Sequence, residues 1–421
     1  MTIADSPRRT GLPARLPILA PLRHRAFRLL FAGQIVSDGG DWLDLLALLT
    51  LIVYRWQLGP GALAALTMVQ FLPGAVVGSL TGVLVDRWPR RATMIGSDLA
   101  RAAIVLGLIW APNLPTLLAL VLARAICSTF FTPARQTTIQ ATVPDADLLA
   151  ANALSRLSVN VTKVLGPGLG GLLVAAVGPR PAFALDAATF LVSAAFLSRL
   201  PQSVSTGRAA DAAERGFWRE WRAGAAAILA RRALIVAVGA LAAEMAIVEI
   251  NDSLTTLAFK GLGLGSALLG LAFGASGLGN ALGALGIGQW GQRAQPLGLT
   301  ALGLVLVGGV EAALGGALIF NIGRGGVGWL VLFLLCGVGF ASIWVPYGFL
   351  VQRETPPELL GRVSATANGV QQACGLVGPP LGAVLATQYG VGPVYSGTGV
   401  ALVALGLLVL IIRPRQGAER S

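Results

Sequence analysis

Three carboxylates with helical spacing stand in the first long apolar stretch of the chain. Asp38, Asp41 and Asp44 recur every three residues in SDGGDWLD (37–44). On a helix, this spacing keeps all three side chains within an arc of about 120°. Because a carboxylate that faces lipid is costly, we expect this face to look into the protein or a cavity. A carboxyl group shielded from water holds a proton more readily, so the three aspartates are candidate proton carriers. Structural hydrogen bonding and placement at a helix end are the alternatives.

A second group of acids lies in AAEMAIVEINDSLTT (242–256). Glu249 and Asp252 are three residues apart and share one helix face. Two acidic faces across one cavity would suit proton coupling, a cationic substrate, or both. Alternatively, Glu249 and Asp252 pair with Lys163 or Lys260 and merely close a gate.

The sequence lacks the residues that enzymes and metal centres usually require. It has one histidine, His24, and three cysteines, Cys127, Cys336 and Cys374, each inside an apolar run. We interpret the cysteines as packing residues rather than disulfides or metal ligands. The glycine-rich stretch GLGLGSALLG (261–270) lacks the lysine and hydroxyl residue that end a nucleotide-binding loop. We therefore expect no enzyme activity, no cofactor and no metal.

Composition and hydropathy predict an all-α polytopic membrane protein. Of the 421 residues, 55% are hydrophobic and 12% charged, and the mean hydropathy is +0.74. A membrane-spanning helix needs about 20 mostly apolar residues. Turn signals divide the chain into twelve apolar segments. They lie at about 27–53, 62–84, 94–111, 115–134, 150–177, 182–200, 233–258, 265–288, 297–320, 327–350, 362–388 and 391–412.

The basic residues indicate how the chain is oriented. If the N-terminus is cytoplasmic, the arginine-rich loops all fall on the cytoplasmic side, as the positive-inside rule requires. The net charge of +12 then reflects topology rather than nucleic-acid binding. We expect a cytoplasmic leader (1–25), a cytoplasmic connector (201–232) and a cytoplasmic tail (414–421). The connector contains an amphipathic stretch, GFWREWRAGAAAILARR (216–232).

The second half of the sequence repeats the first. Residues 140–183 and 352–395 align without a gap at an offset of 212 residues, so that Gly166-Pro167 meets Gly378-Pro379. An offset of half the chain predicts two similar halves. An even number of spans in each half gives both the same orientation. The pattern predicts two parallel six-helix halves, 26–200 and 233–413.

Several motifs in this pattern resemble those of the major facilitator superfamily. GVLVDRWPRRATM (82–94) is similar to the family's loop motif between spans two and three, with Pro89 replacing the usual glycine. GPGLGG (166–171) is similar to the end of the fifth-span motif of the family's antiporters. SDGGDWL (37–43) and DAATFLVSAAF (186–196) resemble a 12-span bacterial branch that exports drugs and siderophores.

The resemblance implies a gating role for the loop motif. In the family, this loop pairs with helix ends of the other half and holds one state of the transporter. Asp86 is the central acid, and Arg362 at the start of span eleven is its expected partner. The alternative is that the arginines only anchor the topology. The residues assigned to this latch are Gly82, Asp86, Arg87, Arg91 and Arg362.

Two further roles concern the middle of the first half. Gly166, Gly170 and Gly171 give one helix face small residues, and Pro167 allows a bend, so this segment is a candidate hinge. A static close contact is the alternative. Arg124 on span four occupies the position of a family arginine implicated in proton coupling.

Taken together, these features predict a proton-coupled exporter of a bulky amphipathic small molecule, such as a drug, siderophore or secondary metabolite. It would work by alternating access, as a monomer, in the bacterial cytoplasmic membrane. A lipid or lysophospholipid flippase of the same fold is the alternative. A non-transporting sensor or assembly factor is a more remote one.

The predicted orientation can be tested with reporter fusions. A fluorescent protein fused after Ser421 is expected to fluoresce in bacterial cells, because both termini are predicted to be cytoplasmic. Alkaline phosphatase, which is active only outside the cytoplasm, is expected to be active when fused after residue 112 and inactive after residue 144. The reverse pattern would contradict the orientation.

Overall fold

The computed structural model describes residues 17–201, 217–291, 294–323 and 326–412. Within these ranges it leaves the side chains of residues 75, 77–87, 217–221, 223, 357, 358, 365, 368, 372 and 375 undescribed. The described residues form α-helices with no strand among them. A 3-10 turn, Pro17–Arg23, precedes the first helix, and a π-helical turn, Thr50–Arg55, extends it. The helices are α1 Arg25–Leu49, α2 Pro60–Arg87, α3 Arg90–Leu108, α4 Leu114–Thr142, α5 Asp145–Val177, α6 Pro179–Leu197, α7 Phe217–Leu229, α8 Arg232–Asp252, α9 Thr255–Gly261, α10 Ser266–Trp290, α11 Pro296–Phe320, α12 Val327–Glu354, α13 Pro357–Tyr389 and α14 Val391–Ile412.

The predicted apolar segments coincide with the long helices. Each of the twelve overlaps one helix, except the seventh, which covers α8 and continues into the short α9. Among the described residues, eight helices are long and apolar enough to cross a membrane: α4, α5, α6, α8, α10, α11, α12 and α14. The helices α1 and α3 contain several charged residues, which lower their hydropathy. That all twelve segments span the membrane stays a prediction.

The helices pack into two bundles. In the first bundle, α1 packs on α5 and α6, α3 packs on α4 and α6, and α2 packs on α4. In the second bundle, α8 packs on α13, α10 packs on α12, and α11 packs on α12 and α14. Two main contacts connect the bundles, α5 with α10 and α2 with α13. The remaining connector helix, α7, packs on α13 and α8.

The two bundles are joined at one end. We call this the far end; it holds residues 56–59 and the turns at Gly178 and Gly390. One apolar core there includes Ile52 of the first bundle and Leu254 and Phe259 of the second. The Nζ of Lys260 donates to the carbonyl oxygen of Val53 at 2.9 Å, which adds a polar contact between the bundles. The far end is therefore closed.

At the opposite end the bundles have separate cores. We call this the basic end; it holds the turns at 88–89, 143–144 and 355–356. Phe27, Met94 and Leu154 belong to a core of the first bundle alone. Leu234 and Val363 belong to a core of the second bundle, together with Ile228 of α7. The bundles thus meet at the far end, and their apolar packing separates towards the basic end.

Glycines allow α5 and α10 to approach at backbone distance. A Cβ at Gly171 would lie 2.7 Å from the Cα of Gly270. About two turns further towards the basic end, a Cβ at Gly277 would lie 2.8 Å from the Cα of Val164. Small residues are what let membrane helices pack this closely. This contact is the closest approach described between the two bundles, and it lies in their far-end half.

Replacing one of these glycines should loosen the far end. In Gly171→Ala the added methyl group overlaps the backbone of α10, and overpacking of this kind costs about 1–3 kcal/mol. We expect a cysteine introduced as Leu262→Cys, which is buried in the far-end core, to react faster with a maleimide in the Gly171→Ala background. Gly316→Ala is the matched control, since nothing lies within 4 Å of its added Cβ. Equal reaction rates in both backgrounds would show that this contact does not keep the far end closed.

Candidate functional site

A cavity of about 880 Å³ lies inside the first bundle, between α1, α2 and α4. It extends from the middle of the bundle towards the basic end, because its α4 residues run from Arg124 to Gln140. Trp42 and Phe71 supply aromatic surface on α1 and α2. Most of the remaining lining is polar and uncharged: Gln70, Ser128, Thr129, Thr132, Gln136, Thr137 and Gln140.

The polar lining follows from the sequence pattern of α4. Its cavity residues recur at spacings of three and four, which places them on one helix face. Several of their hydroxyl groups donate to carbonyl oxygens of α4 itself. Ser128 Oγ donates to Arg124 O at 3.1 Å, and Thr132 Oγ1 donates to Ser128 O at 3.3 Å. A hydroxyl whose proton is used in this way presents its oxygen as an acceptor. This wall of the cavity therefore favours ligands that donate hydrogen bonds.

Arg124 and two of the predicted aspartates meet in the cavity wall. Arg124 Nη1 lies 2.7 Å from Asp44 Oδ2 and 3.6 Å from Asp41 Oδ1. The side chain of Asp44 is fully buried, whereas 48% of the Asp41 side chain is exposed. One guanidinium thus links a buried carboxylate to a carboxylate that faces the cavity.

The third predicted aspartate lies apart from this pair. Asp38 accepts a hydrogen bond from Gln34 Nε2 at 3.3 Å and does not line the cavity. Nearby on α3, Arg101 forms a buried ion pair with Asp98. The Arg101 guanidinium also lies 4.4 Å from the ring centres of both Phe131 and Phe190. Arg101 therefore pairs with Asp98 and packs on two aromatic rings inside the first bundle, away from the cavity.

Sequence reasoning missed one acid in the first bundle. Asp186 on α6 is fully buried and lies against α1 at Gly40, where a Cβ would be 2.2 Å from its Oδ1. It interacts electrostatically with Asp44, Asp41 and Arg124. The available signal was a lone acid inside the otherwise apolar stretch DAATFLVSAAF (186–196).

The second bundle holds a polar network around Asn251. Asn251 Nδ2 donates to Glu311 Oε2 at 2.6 Å and lies 2.7 Å from Thr398 Oγ1. Tyr395 donates its hydroxyl proton to the carbonyl oxygen of Asn251 at 2.7 Å. A small cavity of about 90 Å³, lined partly by Asp252 and Glu311, adjoins this network. The sequence predicted the acids of α8 but not the role of Glu311 as their neighbour.

The structure contradicts a lysine pairing for the acids of α8. Lys260, one of the two lysines considered, donates to Val53 instead. Within the described ranges, neither Glu249 nor Asp252 forms an ion pair. Lys163 is exposed on α5. Glu249 and Asp252 therefore have no cation within ion-pair distance among the described residues, unlike Glu354 at the end of α12, which pairs with Arg231.

The candidate hinge is a close contact in this structure. Gly166 and Gly170 of α5 pack on α1, where their Cβ positions would meet Trp42. Their counterparts Gly378 and Gly382 pack in the same way on Glu249 and Ile250 of α8. Pro167 lies within the continuous helix α5, between the two contacting glycines Gly166 and Gly170. Whether the segment also bends during function stays a prediction.

The latch residues are only partly described. The structure does not describe the surroundings of Gly82 or the side chains of Asp86 and Arg87. Arg91 donates a hydrogen bond to the carbonyl oxygen of Ser198, which ties the start of α3 to the end of α6 within the first bundle. The backbone of Arg362 packs under Gly224 of the connector helix α7. The Asp86–Arg362 latch stays a prediction.

Comparisons with known proteins identify the family and several relatives. The family model described as Major Facilitator Superfamily matches residues 30–379. The transporter YfiS of Bacillus subtilis, a protein of the same superfamily type, is 30% identical over 91% of this chain and 92% of its own length. Macrolide efflux protein A of Streptococcus pyogenes is 25% identical over 92% of this chain and 95% of its own length. A crystal structure of the nucleoside transporter NupG superposes with a TM-score of 0.72 at 13% identity, covering 92% of this chain and 99% of that one.

Removing the shared cation should destabilise the first bundle. In Arg124→Gln the buried Asp44 loses its ion-pair partner, and breaking a buried pair costs about 3–5 kcal/mol. We expect a lower unfolding temperature of the purified protein, followed by tryptophan fluorescence. Adding Asp44→Asn should recover part of the loss, because the double variant leaves no buried charge at residue 44.

The matched control for this experiment is Arg180→Gln. Arg180 is exposed at the start of α6, and surface substitutions of this kind usually change stability by less than about 0.5 kcal/mol. An unfolding temperature of Arg124→Gln equal to that of the control would mean that the ion pair contributes nothing to stability.

Proposed function

Because the chain belongs to the Major Facilitator Superfamily, a family of membrane transporters, we propose that it is a proton-coupled exporter of a bulky, amphipathic, positively charged molecule. The family membership makes the chain an integral membrane transporter. Proton coupling, export and the substrate class are the proposal. The observation that carries it is the pairing of Asp41 and Asp44 with the single guanidinium of Arg124 in the wall of the large cavity.

The chemistry of the cavity supports a cationic, hydrogen-bonding substrate. Asp41 offers an accessible carboxylate, and the hydroxyl oxygens of α4 offer further acceptors for a protonated amine or for substrate hydroxyl groups. Trp42 and Phe71 offer apolar surface, and a volume of about 880 Å³ suits a drug-sized molecule. The seven uncharged polar side chains of the wall can form hydrogen bonds with a solute but find no partner on an acyl chain. The wall therefore favours an amphipathic solute over a lipid.

The closed far end indicates to which side of the membrane the cavity opens in this structure. If the basic end is cytoplasmic, as the positive-inside rule predicts, the cavity is accessible from the cytoplasm and the far end is sealed from outside. An exporter must take up its substrate in this state. Opening the far end, and closing the basic end, would complete alternating access around the same cavity.

Arg124 provides a physical route for coupling. A substrate cation bound at Asp41 repels the guanidinium and competes for the same carboxylate. Extra positive charge at this place favours the ionised form of the neighbouring acids, so that substrate binding promotes loss of a proton. By linkage, protonation of these acids must weaken the binding of the cation to the same degree. This reciprocity is what an antiporter requires.

The relatives are consistent with export. The relative from Streptococcus pyogenes, which matches this chain almost end to end, is named a macrolide efflux protein. The macrolide erythromycin is bulky, carries a basic amine and has several hydroxyl groups. It is therefore a reasonable first probe for the cavity.

The test uses everted membrane vesicles with an imposed proton gradient. A pH-sensitive dye follows the gradient while erythromycin or another cationic, neutral or lipid-like compound is added. We expect erythromycin to dissipate the gradient in wild-type vesicles. In Asp41→Asn vesicles a charged hydrogen bond worth about 1.5–3 kcal/mol is lost, so about ten- to hundredfold more compound should be needed for the same response.

The matched control is Asp145→Asn, which makes the same change at an exposed residue at the start of α5. We expect it to behave as the wild type. If no compound dissipates the gradient although the protein is verified in the membrane, proton antiport is wrong. If only lipid-like compounds dissipate the gradient, the result favours the flippase alternative over export of an amphipathic solute.

A further inference from the structure

Two fully buried carboxyl groups lie together where α1 packs on α6. Asp44 on α1 and Asp186 on α6 are both 0% exposed. The Asp186 side chain rests against Gly40, one helical turn before Asp44. Both have buried oxygen atoms with no hydrogen-bond partner, Oδ1 of Asp44 and Oδ2 of Asp186. Both carboxyl groups are thus removed from water, and their hydrogen-bonding capacity is not filled by protein.

The charges around this contact do not balance if both acids are ionised. Arg124 is the cation that serves it, and its Nη1 contacts Asp44 at 2.7 Å. Helix α3 packs on the other side of α6, but its Asp98 and Arg101 neutralise each other in an ion pair. Two buried carboxylates against one guanidinium would leave an uncompensated charge in the apolar interior, which is strongly unfavourable.

The other neighbouring elements do not supply the missing positive charge: Arg135, the second arginine of α4, interacts with Asp38 and Asp41 but not with Asp44 or Asp186. Asp41 adds a further acid, although its side chain is 48% exposed and its charge can be hydrated in the cavity. Helix α5 meets α1 at this level with Gly166 and Gly170, which carry no charge. One bound proton would make the group of Asp44, Asp186 and Arg124 neutral.

The hydrogen bonds around Asp186 indicate where that proton resides. Thr189 Oγ1 lies 2.7 Å from the carbonyl oxygen of Asp186 and 3.2 Å from its Oδ1. A threonine hydroxyl has a single proton, and the shorter contact to the carbonyl oxygen uses it. The contact to Oδ1 is therefore best satisfied if the carboxyl group of Asp186 is the donor. Asp44, which holds the ion pair, is then the ionised partner.

The second bundle has different side chains at the equivalent helix contact, where Asn251 bonds both to Thr398 and to the acid Glu311. The sequence repeat aligns Asp186 with Thr398, at the same offset of 212 that relates Gly166 to Gly378. On α1 and α8 the correspondence is read from contacts: Gly166 meets Trp42 and Gly378 meets Glu249, which places Asp44 opposite Asn251, next to Asp252. Asn251 and Thr398 are joined by a direct hydrogen bond, 2.7 Å long, between neutral groups. The equivalent place in the first bundle thus has two acids where a neutral pair suffices for packing.

We propose that Asp44 and Asp186 form a proton-binding pair, which holds one proton between α1 and α6 and carries it during transport. Loss of this proton places two like charges at the helix contact, so the protonation state biases how closely α1 and α6 pack. The proposal gives the proposed antiport a specific proton site, and its role in transport rests on that function. Proton occupancy itself can be measured without any transport.

The direct test is infrared spectroscopy of the purified full chain at neutral pH, observing the carbonyl stretch of protonated carboxyl groups. We expect the spectrum of Asp186→Thr to lack one such band that is present in the wild-type spectrum. The spectrum of Asp44→Asn should lack the same band, because Asp186 can then ionise and pair with Arg124. The double variant should lose no more than either single variant. Other buried acids cancel in these differences.

The pattern of losses decides the proposal. No loss in Asp186→Thr would show that Asp186 is ionised and would overturn it. Two bands lost in the double variant would show two independently protonated acids and would also overturn it. Asp145→Asn, with its exposed acid, should leave the spectrum unchanged. If Asp186→Thr does not fold, Asp186→Asn replaces it, since its amide can still donate to Thr189.

Transport separates this proposal from the proposed function. In everted vesicles, we expect Asp186→Thr to bind erythromycin but to lose the dissipation of the proton gradient. If wild type itself gives no dissipation with any compound, the proposed antiport fails, whereas the infrared result still decides whether the pair holds a proton. If wild type is coupled and Asp186→Thr is equally coupled, the pair is not the transported proton's site and the proposal is wrong.

Discussion

The first bundle depends on one arginine that pairs with a buried acid and an exposed one at the same time. Arg124 is tied to the buried Asp44 and reaches towards the half-exposed Asp41, so that one guanidinium connects the interior of the bundle with its cavity. Because buried charge must be balanced, the position of Arg124 constrains where α1 and α4 can lie. The same requirement decides how many of the surrounding carboxyl groups can be ionised at once. The packing of α1 on α4 is thus tied to the same charge balance on which the proposed proton site and substrate site depend.

The two bundles share the same glycine contacts but surround them with different side chains. In each, a Gly-Pro helix packs on the first helix of its bundle, with Gly166 facing Trp42 in one and Gly378 facing Glu249 in the other. The first bundle combines an ion pair with a large cavity. The second satisfies Asn251 with Glu311 and Thr398 around a space of about 90 Å³. The repeated backbone therefore carries a large cavity with an ion pair in one half, and in the other a small cavity whose acids, Asp252 and Glu311, form no ion pair among the described residues.

Much of this architecture could be predicted from the sequence, because hydropathy and the internal repeat are properties of contiguous segments. The bounds of the long helices, the close packing of Gly166, Gly170 and Gly171, and the family followed from such patterns. The spacing of Asp41 and Asp44 correctly indicated a face directed into the protein. Contacts between distant segments could not be predicted in the same way. Asp186 meets Gly40, Arg91 meets Ser198 and Asn251 meets Glu311 only because particular helices are neighbours in space.

The turn between α5 and α6 has a mechanical consequence. The single residue Gly178, with a φ of 85°, joins the two helices, and Gly390, with a φ of 86°, does the same for α13 and α14. Because each junction has no spare residues, neither helix can slide far without pulling its partner. The α5 end of this pair touches the other bundle at Gly270, and the α6 end carries Asp186. Through this one-residue junction, the seam between the bundles and the carboxyl groups buried beside α1 lie on a single continuous stretch of backbone.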